Sequence, residues 1–174
     1  MKRTYLLFAL PLLITACKPK SSDNVSSPKT DSVTYPYTIK DPDQWQMDTS
    51  KTNTLVVLNL LKAVEKFDTA GMRKYLADSV ELNFDYDKYK GPVKGILTIM
   101  KNIGDTTKNN TIKMYDWEAV TSKTHSNVQW VTTWYRQTWT NMKGKTDSID
   151  YVDDNMVKNG KVVRVDEYAK HFKK

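Results

Sequence analysis

Cysteine, histidine and glycine are scarce in this 174-residue chain, and each shortage removes a class of chemistry. Cys17 is the only cysteine, so the rest of the chain has no intramolecular disulfide and no thiol nucleophile. The two histidines, His125 near an expected turn and His171 in the C-terminal tail, cannot form a histidine metal site or a nucleophile triad. No glycine-rich phosphate loop occurs. The acidic run Asp85-Tyr86-Asp87 lacks the glycine and the closing glutamate of a calcium loop. No metal and no cofactor is therefore expected. Long apolar runs are also missing: the longest, Tyr5 to Ile14, is too short to span a bilayer. Proline is concentrated early, with Pro19, Pro28, Pro36 and Pro42 before residue 43, and Pro92 alone lies beyond that point. The composition that remains, 39% hydrophobic and 27% charged residues, suits one globular domain with a core plus some non-globular length.

The apolar run itself has the length of a signal-peptide core, and Lys2 and Arg3 precede it. It ends in Ile14-Thr15-Ala16-Cys17, which resembles the bacterial lipoprotein signal. That resemblance implies a signal peptide over residues 1–16, cleavage before Cys17, and lipidation of Cys17 as the anchor to a membrane. Lysine rather than aspartate after Cys17 points to the outer membrane. The formal charge is +7, carried by dispersed lysines, which reads as a solvated surface. No nucleic-acid partner is expected of an exported protein.

Residues 17–34 are almost free of apolar side chains and read as a flexible tether. Residues 35–52 contain Tyr35, Tyr37, Ile39, Trp45 and Met47, and read as an arm lying against the domain, with Asp41-Pro42 starting a short helical turn. The domain proper is 53–174. Thr52 or Asn53 is expected to cap a helix with Val57, Leu60, Leu61, Val64 and Phe67 at helical spacing. Asp68 or Thr69 caps a second helix running through Leu76, and Val80, Leu82 and Phe84 alternate as a first strand. Gly91-Pro92 opens a third helix, closed by Gly104. From Thr111 to Tyr168, aromatic and polar residues alternate through three turns, which gives four antiparallel strands.

This order of elements, with Tyr75-Leu76-Ala77-Asp78-Ser79-Val80 before the first strand, Gly91 before the third helix and Asn159-Gly160-Lys161-Val162-Val163 at the last hairpin, resembles the SnoaL-like branch of the nuclear-transport-factor-2-like superfamily. The resemblance covers roughly residues 53 to 172. It implies a conical α+β fold in which three N-terminal helices pack on a strongly curved antiparallel sheet and leave a cavity at the wide end. The superfamily contains isomerases, cyclases, dehydratases and hydrolases together with non-catalytic binding domains.

Register then assigns the faces. Asn159-Gly160 demands a type I′ turn, so Lys158 should pair with Lys161, Asn155 with Arg164, Asp153 with Asp166 and Tyr151 with Tyr168. A four-residue loop from Asn141 to Gly144 would set Thr140 against Lys145, Trp130 by Asn155 and Trp134 by Tyr151. One face would then carry Trp130, Trp134, Arg136, Tyr151, Asn155, Arg164 and Tyr168 around the acid pair Asp153 and Asp166. The opposite face would hold Val131, Tyr135, Val152, Met156, Val163 and Val165, but also Asp150, Asp154 and Glu167. Aromatic walls around a few convergent polar groups are what a small-molecule site needs, so the first face is the expected cavity lining.

Isomerase chemistry in the resembled family needs a carboxylate base soon after the first strand begins, and here Leu82 and Asn83 occupy that place. Asp153 and Asp166 remain the candidate acid and base. The expectation is a membrane-anchored pocket domain that binds a small apolar or aromatic ligand, or a partner, without catalysis. An aspartate-based cavity enzyme is the alternative. A second copy of the chain, meeting the first through the sheet, is a further expected partner.

Overall fold

The computed structural model describes residues 36–38, 40, 44–125 and 127–171. Chain contacts divide the protein into residues 1–39 and 40–174. Of the first unit only Pro36, Tyr37 and Thr38 are described, and all three are exposed. The leader, Cys17, the tether, Tyr35, Ile39 and Asp41-Pro42 lie outside the described residues.

The second unit runs β1 (Trp45–Met47), α1 (Thr52–Glu65), α2 (Thr69–Tyr75), β2 (Leu76–Asn83), β3 (Lys88–Pro92), α3 (Val93–Asp105), β4 (Thr107–Ser122), β5 (Gln129–Asn141), β6 (Thr146–Lys158) and β7 (Lys161–His171). Its strands form one seven-stranded sheet in the order β1-β4-β5-β6-β7-β2-β3. Neighbours are antiparallel, as the sequence predicts, except β2 and β7, which run parallel. The cause is connectivity. The chain leaves β2 through β3 and α3 and fills the opposite side of the sheet, so that β7 returns beside β2 in the same direction.

α1 starts one residue earlier than the capping reading placed it: Lys51 is the N-cap and makes no side-chain cap bond, while Thr52 is already helical. Its end is a Schellman turn, with the Asp68 amide donating to the Ala63 carbonyl at 2.9 Å and the Phe67 amide to the Val64 carbonyl at 3.0 Å. Phe67 holds the left-handed position, φ 51°, that glycine usually takes. Its side chain lies so close to Gly104 of α3 that a Cβ there would come within 2.8 Å of the phenyl stem.

Asp68 caps α2 as the sequence predicts, its Oδ1 accepting from the Gly71 amide at 2.9 Å. Asp68→Ala is expected to cost about 1 kcal/mol in a urea titration, because the Gly71 amide loses its acceptor. α2 ends at Tyr75, and Leu76 already belongs to β2, one residue short of the expected helix.

The core gathers Val57, Leu60 and Leu61 of α1, Met72 of α2, Val80 and Leu82 of β2, and Val93 and Ile96 of α3. The helices lie on one face of the sheet, where Ala119, Val131, Tyr135, Val157 and Val162 meet them. The short strand Trp45–Met47 pairs with Ser122, Thr121 and Val120 at the sheet edge.

Candidate functional site

The two hairpins decide which side chains reach the helix-covered face. At Asn159-Gly160 the expected turn forms, with φ of 50° and 69° and Lys158 paired to Lys161. One step on, Val157 pairs with Val162 but Met156 pairs with Arg164, so Val163 is an extra residue, a β-bulge. At the other hairpin Lys145 stays in the loop, its carbonyl accepting from the Asn141 amide, and Thr140 pairs with Thr146 rather than Lys145. Each one-residue shift moves partners to the other side of the pleat.

The expected facing partners therefore change. Asp153 stands opposite Glu167, not Asp166, and Asp166 stands opposite Asp154. Asn155 pairs with Val165 rather than Arg164, and Tyr151 with Ala169 rather than Tyr168. Across β5, Trp130 pairs with Met156 and Trp134 with Val152. The predicted single face is split. Tyr151, Asp153 and Asn155 stay on the inner face with Val131, Thr133 and Tyr135, while Trp130, Trp134, Arg136, Arg164, Asp166 and Tyr168 occupy the outer one.

On the outer face the charges are paired. Arg136 donates twice to Asp150, at 2.6 and 3.0 Å, which holds the Asp150 carboxyl below its ordinary range. Arg164 donates through Nε to both oxygens of Asp166 at 3.0 Å and lies over the Trp130 ring, 6.0 Å from its centroid. Tyr168 is exposed. Asp166 is thus a part-buried ion-pair partner on the outer face.

The inner face is different. Asp153 is buried, 4% exposed, and accepts one hydrogen bond at Oδ2 from the Tyr135 hydroxyl at 2.8 Å. Its Oδ1 has no hydrogen-bond partner among the described residues, and neither has the hydroxyl of Thr133, the fully buried residue paired with it across β5 and β6. Asn155, equally buried, is satisfied: its amide donates to the carbonyls of Val131 and Asp153. Burial, then the charge of Glu167, pushes the Asp153 carboxyl up to about 8. Glu167, half-buried, is raised to about 7 by burial and by Asp85. Burial also pushes the Tyr135 and Tyr151 hydroxyls up, so both stay neutral donors. Their rings pack at 5.4 Å between centroids. At the rim His171 Nε2 contacts Asp85 Oδ2 at 3.0 Å and the Tyr86 hydroxyl at 3.1 Å.

Two concavities lie elsewhere. One of about 390 Å³ runs between α2 and α3 beside Arg73, Val93, Leu97 and Lys101. The other, about 200 Å³, lies between α1 and β4 beside Leu58, Ile112, Met114 and Trp117. Arg73 and Lys101 are already paired with Asp78 and Asp105. Neither concavity contains a buried polar group lacking a partner, and for that reason the inner-face cluster is the better candidate. Among the described residues no three His, Cys, Asp or Glu side chains converge as a metal site.

Neither a protein-family model nor a curated protein matches the chain. Solved structures do. An LEH-like epoxide hydrolase of Mycobacterium tuberculosis superposes with a TM-score of 0.58 at 13% identity, over 69% of this chain and 84% of that one. A candidate SnoaL-like polyketide cyclase from Jannaschia sp. CCS1 gives 0.57 at 12% identity, over 72% and 92%. An NTF2-like protein of unknown function from Burkholderia pseudomallei gives 0.56 at 12% identity, over 68% and 91%.

The fold is NTF2-like. At such identities the likeness carries the architecture and leaves the chemistry to the residues. In this NTF2-like domain, three side chains of the cluster escaped the expected site: Thr133, Tyr135 and Glu167. The signal for two of them was in the chain, because Val131, Thr133 and Tyr135 alternate with the bulky Trp130 and Trp134. Aromatic size pointed to the side of that alternation that faces away from the helices.

Proposed function

We propose that this chain is an exported, lipid-anchored NTF2-like domain whose inner sheet face binds a small molecule at Asp153. The observation that carries the reading is the pair of buried polar atoms, Asp153 Oδ1 and the Thr133 hydroxyl, left without partners among the described residues. A buried polar group so left costs roughly 1–3 kcal/mol, and a ligand donor would recover it. Tyr135, bonded to Asp153, and Tyr151, packed on Tyr135, supply ring surface on the same face, and half-buried Glu167 stands opposite Asp153. A thermal-shift screen of small hydrogen-bond donors tests this: binders should raise the melting temperature of the parent chain and not of Asp153→Asn.

Catalysis is the second reading, favoured by one observation. Asp153 and Glu167 face each other with both carboxyls raised, so near neutral pH one can hold a proton while the other accepts one. Turnover of any binder would establish it.

The anchor rests on Ile14-Thr15-Ala16-Cys17. Among the described residues no helix is long and apolar enough to cross a membrane, and in this reading attachment falls to Cys17. Radiolabelled fatty acid should enter the parent and not Cys17→Ser, and fractionation should place the parent with the outer membrane. A second copy meeting this one through the outer sheet face, beside Trp130 and Trp134, belongs to the same proposal and is read from the mass in solution.

A further inference from the structure

We infer that the inner-face site takes a cationic ligand, an organic ammonium carried on an aromatic or apolar body. This rests on the reading of the inner face as a binding site and names the class of molecule it accepts.

Charge gives the first argument. The charged groups acting on Asp153 are Glu167 and Asp154, and the one acting on Glu167 is Asp85. All are acidic. The basic side chains nearest in register, Arg136, Arg164 and Lys170, occupy outer-face positions of β5 and β7, where Arg136 meets Asp150 and Arg164 meets Asp166. His171 sits at the rim against Asp85 and Tyr86. On α1, Lys62 is committed to Glu65. The interior thus has carboxyls on facing strands and, among the described residues, no internal cation to neutralise them.

Hydrogen bonding gives the second. An ammonium carries three donors and no acceptor. Once Asp153 has given up its proton its Oδ1 is an acceptor lacking a donor, the buried Thr133 hydroxyl oxygen is another, and Glu167 across the strand pair supplies a third. A neutral alcohol or a water offers at most two donors and leaves the charge of the carboxyls uncompensated. The packed rings of Tyr135 and Tyr151 add the electron-rich surface that attracts a cation.

Binding then moves a proton. With Asp153 protonated in the free protein, the ammonium enters, the carboxyl O–H breaks, the proton leaves to bulk water, and the carboxylate stays paired with the cation. Affinity therefore rises with pH until either the carboxyl is already ionised or the amine begins to lose its own proton.

Titration calorimetry of the full chain with benzylamine and with benzyl alcohol, at pH 7.5 in phosphate and in Tris, is the test. Benzylamine should bind at least ~10-fold more tightly than benzyl alcohol, as charge-assisted bonds exceed neutral ones. Its heat should differ between the buffers in the sense of proton release. In Asp153→Asn, or in Glu167→Gln should that variant fold better, the preference should fall to about twofold or less. Equal binding of amine and alcohol, with both lost in Asp153→Asn, overturns the cationic class and keeps the site. Binding of neither overturns both.

Discussion

Asp153→Asn should raise the melting temperature by roughly 10 °C at pH 8.5 and change it little at pH 4. Asparagine copies the shape of the protonated acid and cannot ionise. In the parent the folded carboxyl titrates at about 8, against about 3.9 in an unfolded chain. The folded state therefore holds the proton more tightly, and the stability this confers is complete below pH 4. It is lost as the pH climbs from there through 8, because the unfolded chain ionises freely while the folded one cannot. At pH 8.5 the difference is on the order of 3 kcal/mol, allowing for relaxation around the charge. Tyr135 keeps an acceptor in the variant, since the asparagine carbonyl takes the place of Oδ2. Melting curves from pH 4 to 9 for both proteins would show the gap opening with pH. A gap that stays constant, or a variant less stable at pH 8.5, would mean that Asp153 is ionised and paired in the folded protein. Destabilisation retained at a buried acid is the usual mark of a group kept for function.

Met72→Ala is the other large effect, a loss of on the order of 3 kcal/mol by urea titration. Seven residues are too few to hold a helix in water, so α2 exists through its tertiary contacts. Only Gly71 and Met72 of that helix are buried, and Met72 is 1% exposed in the core it shares with α1. Truncating it opens a cavity at the one large fully buried side chain of α2, beside the partly buried Tyr75. Met72→Leu, which conserves volume, should cost less than about 1.5 kcal/mol. Equal losses for both would trace the effect to something other than the cavity.

How much of this was legible beforehand depended on the range of the signal. The apolar stripe of α1, the Asp68 cap and the Asn159-Gly160 turn are written within a few residues, and all three appear in the structure. β3 is short, alternates Lys88, Tyr89, Lys90 and ends on Gly91-Pro92, which reads as helix punctuation, so no strand was expected there. The parallel placement of β2 beside β7 joins segments about eighty residues apart, and no local pattern encodes it. The inner-face site failed in sequence for a narrower reason. Carboxyls were sought on β6 and β7, where the cluster lies, but Val163 and Lys145 each add one residue, and nothing in their own chemistry marks them as unpaired. Trp130 and Trp134 then drew the cavity to the face where rings are many and charges are already matched.

Val163 has a consequence for how such a site is inherited. Because Val163 is bulged out and not paired, everything from Arg164 onward keeps its side of the sheet, so the encounter of Glu167 with Asp153 depends on the count of paired residues and not on what Val163 is. Substitutions at 163 leave the count intact. A one-codon insertion there, paired rather than bulged out, would leave Asp153 and Glu167 both present in the chain and send Glu167 out into water. Two relatives could therefore share both acids and differ in whether they meet, and aligning letters without tracking insertions would hide the difference.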